Sequence, residues 1–344
     1  MKKILAPLFA VALGLGLGLL ISAAAGEDPL NVLEILIKGA FGSRYDFGMT
    51  LFYTTPLIFT GLAVSVPFQA GLFNIGAEGQ LTLGALAAAA VGIVFKDLPW
   101  PVAPVLAIIA AFLAGAIWSA IPGYLRAKRG SHEVINTIML NFVAAGLASW
   151  VTLYLLRNTH SQNPETAAVG PGYLIHQFTG IFDDAPVSSA LFLALFVAFL
   201  IWVLLFRTVW GFGVRAIGQS EPAARAGGVN SAWARISAMA LGGGLAGLVA
   251  VPEVLGNAGR FKLGFSPDYG FMGIAVALLG RGRPLGVIAA ALLFGALHKG
   301  TADLDLETEH ITRDFSMILQ ALVILAVSAE GIWTIFKKKK KGKS

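Results

Sequence analysis

Residues 71–80 read GLFNIGAEGQ, and they interrupt two apolar runs, 50–66 and 78–95. Glycines at 71, 76 and 79 allow sharp turns and close approach of backbone to a neighbour. Asn74, Glu78 and Gln80 bring donors and acceptors into the same ten residues. Polar groups at membrane depth are costly unless they face protein or water. The stretch therefore reads as a deliberate break in a membrane span, lined for a hydroxyl- or amide-bearing solute rather than a simple ion. The same residues have a local use. Glu78 can lie in the first turn of a helix, where the dipole favours a carboxylate, and Asn74 can cap it. A half-helix N-terminus can serve both purposes at once.

Composition extends that reading to the whole chain. Of 344 residues, 56% are hydrophobic and 13% charged, and the mean hydropathy is +0.76; soluble domains carry about 25% charged residues. The fold class expected is an all-α, polytopic membrane protein with about ten spans: 4–22, 50–66, 78–95, 102–124, 134–156, 187–206, 232–252, 268–280, 285–299 and 317–336. The absence of cysteine excludes disulfides, thiolate metal sites and cysteine nucleophiles. The five histidines show no metal-ligand spacing, so no metal is expected. The net charge of +6 gathers in the tail KKKKKGKS, a membrane anchor rather than a nucleic-acid patch. Its GKS imitates a phosphate-binding loop, but Lys337 stands where that loop needs glycine.

Basic residues set the orientation. With both termini cytoplasmic, Lys2, Lys3, RAKRGSHE, the 207–231 loop, RGR at 281–283 and the lysine tail all lie inside, and most acids lie outside. The first span, with its basic start and small residues before the polar part, also has the pattern of a signal peptide; retention is expected. The chain is expected to form one transmembrane domain, 1–344. It comprises a first span and outside segment (1–49), a core (50–336) and a basic tail (337–344). The outside segments 23–49 and 300–314 carry clustered acids and read as docking surfaces; 157–186 is another long outside segment.

Spans 268–280 and 285–299, separated by GRGRPLG, are short for a crossing, for which about 20 residues are needed. Broken segments in corresponding halves are a mark of transporters built on an internal repeat, which is expected here as a possibility. Frequent closely spaced glycines, as in LGGGLAGL, favour tight helix packing.

Two more stretches carry information. In 207–236, SEPAARAGG reads as a short helix: Ser220 caps it, Pro222 fits its first turn, and Gly227 or Gly228 ends it. In an inside loop it would make a docking knob. In GSHEVINTIMLNFVAAG (130–146), Ser131 can start a helix, and Thr137 and Asn141 share a face.

GLFNIGAEGQLTLGA, HEVINTIMLNF, VRAIGQSEPAARAGGVN and YGFMGIAVALLGRGRPLG (269–286) resemble the signature stretches of permease subunits of bacterial ABC importers. The family is the branched-chain amino acid/ribose permease family, and the likeness is to its nucleoside and simple-sugar branch, served by a basic-membrane-protein-type lipoprotein receptor. The resemblance spans roughly 50–336. It implies a non-catalytic subunit of the bacterial inner membrane, with no cofactor of its own. The implied partners are a cytoplasmic ABC ATPase that binds the ATP, a second, paralogous permease, the lipoprotein receptor and membrane lipid. It implies that the NIGAEG break lines the pore, and together with the polar residues read above the expected substrate pathway is Phe73, Asn74, Glu78, Gln80, Thr137 and Asn141. It also implies a coupling segment at Arg215, Gly218, Glu221, Pro222, Ala223, Ala224, Arg225 and Gly228. Nucleosides are the first expectation for cargo, with Tyr53, Phe68 and Phe73 as stacking surfaces near the break, and simple sugars the second. An ion-coupled carrier would need buried acids, and only Glu78 and Glu330 stand near spans. A membrane enzyme would need a cluster of catalytic groups at one depth, which is not evident.

Overall fold

The structure, a computed structural model, describes residues 2–308, 310–312, 315 and 317–326. The lysine tail and Glu330 lie outside these. The chain is all-helical: α1 Lys2–Ala24, α2 Pro29–Phe41, α3 Arg44–Gln69, α4 Ala77–Val94, α5 Val102–Arg129, α6 Glu133–Trp150, α7 Ala190–Arg207, α8 Val209–Gln219, α9 Glu221–Ala226, α10 Ser231–Gly247, α11 Tyr269–Leu279 and α12 Pro284–Glu307. A last described helix, α13, covers Met317–Ala326. Helix α6 runs on through a wider-wound turn, Val151–Leu155, and α10 through another, Val251–Ala258. Seven of these helical stretches are long and apolar enough to cross a membrane, and shorter apolar helices stand beside them.

The core is α3 and α10, wrapped by the others. The LGGGLAGL glycines do what small residues do in membranes, letting backbones touch. A methyl group added at Gly243 would sit 2.2 Å from the Gly115 carbonyl oxygen of α5, and one at Gly247 would sit 2.2 Å from that of Ala111. Helix α6 stands at the edge, with Met139, Phe142, Val143 and Trp150 exposed.

Three expectations change. Segment 23–49, expected only as an outside segment between spans, is largely helical: Asp28 caps α2, accepting from Leu30 N at 3.0 Å, and Ser43 caps α3, accepting from Asp46 N at 3.0 Å. The run 285–299 belongs to α12, a 24-residue helix. It continues past Lys299 because that ammonium is paired, with Asp46 of α3 at 2.9 Å and Asp303 one turn on at 2.7 Å. The start of 300–314 is accordingly helical. Ser131 is not the cap of α6 either; His132 holds the N-cap position, and Ser131 accepts from Asn136 at 2.8 Å.

At the end of the bundle away from α8 and α9, residues 156–189 fold over the helix ends rather than hang free. Tyr173 is fully buried and its hydroxyl donates to Phe95 O at 3.0 Å. Glu165 pairs with Arg260 at 2.7 Å, and Thr166 N donates to Phe261 O at 2.9 Å. Burial pushes the Glu165 carboxyl up, but hydrogen bonds from Asn158 and Arg260 outweigh it and hold the group below the ordinary carboxylate range.

Candidate functional site

The break at 71–80 starts where α3 ends. Gly71 has φ +72, a conformation L side chains rarely adopt, and residues 72–76 run non-helically back alongside α3. Asn74 stops this return beside Ala63, reaching its carbonyl at 3.4 Å. Ala63 is six residues short of the end of α3, so α4 begins about 9 Å in from that end. The Asn74 amide makes a reciprocal pair with Gln80, both bonds 2.9 Å, and its oxygen also accepts from Gly76 N at 3.0 Å. The N-cap of α4 is therefore Gly76, not Asn74; Asn74 braces the cap from two residues away. Both amides are buried.

Helix α6 fastens the same turn. Asn141 accepts from Gly79 N at 2.9 Å and donates to Ile75 O at 3.0 Å. Thr137, one turn earlier on that face, is buried against Gly76 and donates to Glu133 O at 2.9 Å. The expected shared face of Thr137 and Asn141 is thus the one packed on the break.

A second break meets the first. After Ala258 the chain is non-helical until Tyr269, where α11 begins. Gly270 N, in the first turn of α11, donates to Glu78 Oε2 at 2.7 Å, and the Ser266 hydroxyl also hydrogen-bonds Glu78. Glu78 thus lies in the first turn of α4 and at the positive end of α11 together, where a carboxylate is favoured twice. On the other side of the same α11 turn, the Tyr269 hydroxyl donates to Glu253 Oε1 at 3.0 Å. Glu253 and Tyr269 are both buried.

Five of the six expected pathway residues, Asn74, Glu78, Gln80, Thr137 and Asn141, come together at this junction. Phe73 lies towards the α8 end, edge-on to Phe68 with centroids 6.2 Å apart. Tyr53 is elsewhere, against His298 at 4.4 Å, so the three aromatics do not form one stacking surface. Sequence reasoning missed Glu253. The signal was present, an acid in the apolar run LVAVPEVLG, but its partner is sixteen residues on, across irregular backbone.

The knob at 208–230 folds as its caps dictate. Thr208 starts α8, accepting from Gly211 N at 3.1 Å. Ser220 starts α9, accepting from Ala223 N at 3.4 Å, Pro222 lies in the first turn, and Gly227 ends it. Gly228, φ +83, turns the chain out. Glu221 is the clamp: both its oxygens take Arg235 of α10, at 3.2 and 2.5 Å, and Arg225 joins at 2.7 Å. Burial pushes this carboxyl up; the hydrogen bonds from Arg235 and the charges of Arg235 and Arg225 prevail and hold it below the ordinary range. Arg215 donates to Leu205 O at 3.0 Å and stacks on Phe206. Between α8 and α9 is a groove of about 270 Å³, lined by residues including Phe212, Arg215, Gln219, Ala223 and Ala224. Val209 and Phe212 are exposed beside it.

Interrupted spans whose helix ends meet inside an apolar bundle, with a capped knob at one end, define a multi-pass membrane transport protein. The family described as branched-chain amino acid transport system/permease component matches residues 47–328, and the chain belongs to it. It is similar over nearly its whole length to the guanosine ABC transporter permease protein NupP of Bacillus subtilis, with 34% identity over 347 residues, 99% of this chain and 98% of the relative. The glucose ABC transporter permease protein TsgB13 of Haloferax volcanii is 34% identical over 326 residues, 93% and 85% of the two chains. The nucleoside ABC transporter permease protein NupB of Lactococcus lactis is 31% identical over 347 residues, 99% and 94%. This chain is thus an ABC transporter permease of the cell membrane, a non-catalytic transport subunit without a cofactor, whose partners are an ATPase that binds the ATP and a solute-binding protein.

Proposed function

We propose that this chain is a permease subunit of an importer that takes up nucleosides. The likeness along the full chain to two permeases named for guanosine and for nucleosides carries the reading. In this reading the chain is a single permease domain that crosses the membrane about ten times with both termini cytoplasmic. The α8–α9 knob faces the cytoplasm and an ABC ATPase, while the 156–189 cap faces an extracytoplasmic receptor lipoprotein. The second permease is a paralogous chain. The exposed Phe212, the groove and the outward-turned α9 favour docking of a partner at the knob. ATP-driven closure of the partner moves α8 and α9, and access to the solute path switches. Glu78, with Asn141 beside it, offers acceptors and donors to sugar hydroxyls at about the middle of the membrane. The likeness to a glucose permease favours a second cargo reading, a simple sugar.

The test is uptake of labelled nucleosides and sugars by cells with and without the gene, each solute competing against the others. Nucleoside uptake lost with the gene and resistant to excess ribose or glucose is the expected result. Loss of sugar uptake alone selects the second reading. No change for any solute overturns both.

A further inference from the structure

Helix α11 has eleven residues, about 16 Å, and it is held at both ends by one piece of chain. At its start, Gly270 N donates to Glu78, where the α3–α4 break finishes. Beyond its end, the Gly282 carbonyl accepts from Gln69 Nε2 at 3.0 Å, where the same break begins. The turn between these grips is stiff. A methyl at Gly280 would lie 2.6 Å from Val287 N, and one at Gly286 would lie 2.3 Å from Gly280 O, so α11 and the start of α12 are pressed together. Along its length α11 packs on α3 through glycines: Gly273 lies against Thr60, and Gly61 against Val276.

The beginning of the break is also where the knob touches the bundle. Gly218, in the last turn of α8, has room for no side chain; a methyl there would sit 2.1 Å from Gln69 O and 3.1 Å from Gly71 N. One residue, Gln69, thus meets the knob with its backbone and the α11–α12 turn with its side chain. We infer that Gln69 is a positioning residue that makes α11 follow the knob, so that motion at α8–α9 reaches the Glu78 junction along α11 as well as along residues 70–76. The inference rests on the reading of the knob as the ATPase contact.

The test uses the full complex of permeases, ATPase and receptor, purified and reconstituted in vesicles, with ATP hydrolysis and uptake of the transported solute measured together. Gln69→Leu keeps the stem and removes the donor; Gln69→Lys keeps a donor. For Gln69→Leu we expect the ATPase to copurify as with the unaltered permease, hydrolysis to stay within about twofold, and solute moved per ATP to fall about tenfold. Gln69→Lys is expected to recover most of that loss. Unchanged solute per ATP in Gln69→Leu overturns the inference. So does a parallel fall in copurification, hydrolysis and uptake, which marks a merely structural role. Failure of the unaltered permease to retain any ATPase would instead sink the reading of the knob, and is distinguishable because it appears before any substitution is made.

Discussion

The Glu78 junction and the Glu221 clamp are both polar clusters set on a break between helices, yet they are built to different rules. At the junction, Asn74 and Gln80 are buried and answer each other atom for atom. At the clamp, one carboxylate collects two guanidinium groups, and Arg225 is largely exposed. A buried donor or acceptor that loses its partner costs about 1–3 kcal/mol, whereas an exposed ion pair contributes about 0–1 kcal/mol. The junction is therefore where stability and geometry are set together. At the clamp only the Arg225 arm is such an exposed pair; the bidentate Glu221–Arg235 arm is mostly buried and holds α9 on α10, so the clamp fixes a surface as well as presenting it.

The sharpest way to break this contrast is Asn74→Leu. It orphans the Gln80 amide and Gly76 N, and the expected loss is about 3 kcal/mol from those groups together. It reads out as a lower melting temperature in detergent and reduced uptake. Adding Gln80→Leu should recover part of the stability, since replacing both partners by apolar groups is far less costly than removing one. A double variant no more stable than the single would show that the reciprocal pair is not the source. Next comes Glu221→Lys, which sets a third positive group against Arg225 and the mostly buried Arg235. Membrane insertion should be kept and melting should fall modestly, because Arg235 loses its partner, while ATPase copurification falls about tenfold, equivalent to about 1.4 kcal/mol; unchanged uptake would remove the clamp from the docking surface. Tyr269→Phe should cost about 1 kcal/mol in thermal stability, by loss of one buried hydrogen bond. An equal or larger cost from Arg225→Ala, which removes only the exposed arm of the clamp, would erase the distinction between the two regions.

The smallest effect concerns pH. Because Glu221 is held below its ordinary value of 4.5, its contribution is fully present above that value and is lost as pH falls through the lower folded-state value. Docking measured from pH 7 down to 5 should be flat with respect to this group, and weakening should begin only below about pH 4.5. In Glu221→Gln that acid-dependent step should vanish.

Local chemistry was legible and pairing at a distance was not. SEPAARAGG carried its own start and stop, and α9 obeys them. The glycines and amides of 71–80 announced a break at the right residues. They did not say that Asn74 would face Gln80 rather than cap the helix, because that choice depends on the return of 72–76 along α3. Segment 29–41 follows Asp28, begins with Pro29 and carries an amphipathic run, yet thirteen residues cannot span, so it read as part of the outside segment 23–49. Lys299 looked like the end of a span because its neutralising partner, Asp46, lies 253 positions earlier in the chain. Glu253 was hidden by the same kind of separation, since nothing in the apolar run around it indicates a phenol across the break.

The contact between α5 and α10 bears on what the bundle can do as a machine. Gly243 and Gly247 lay their own backbone against the Gly115 and Ala111 carbonyls of α5, with the short Ser119 side chain beside Gly243 and Phe112 beside Gly244, so at these two glycines the seam has few rotamers to exchange. Side-chain seams can creep by small repackings; a backbone seam must either stay shut or part altogether. In the proposed transport cycle the pair would serve as a keel, with the lighter timbers swinging about it.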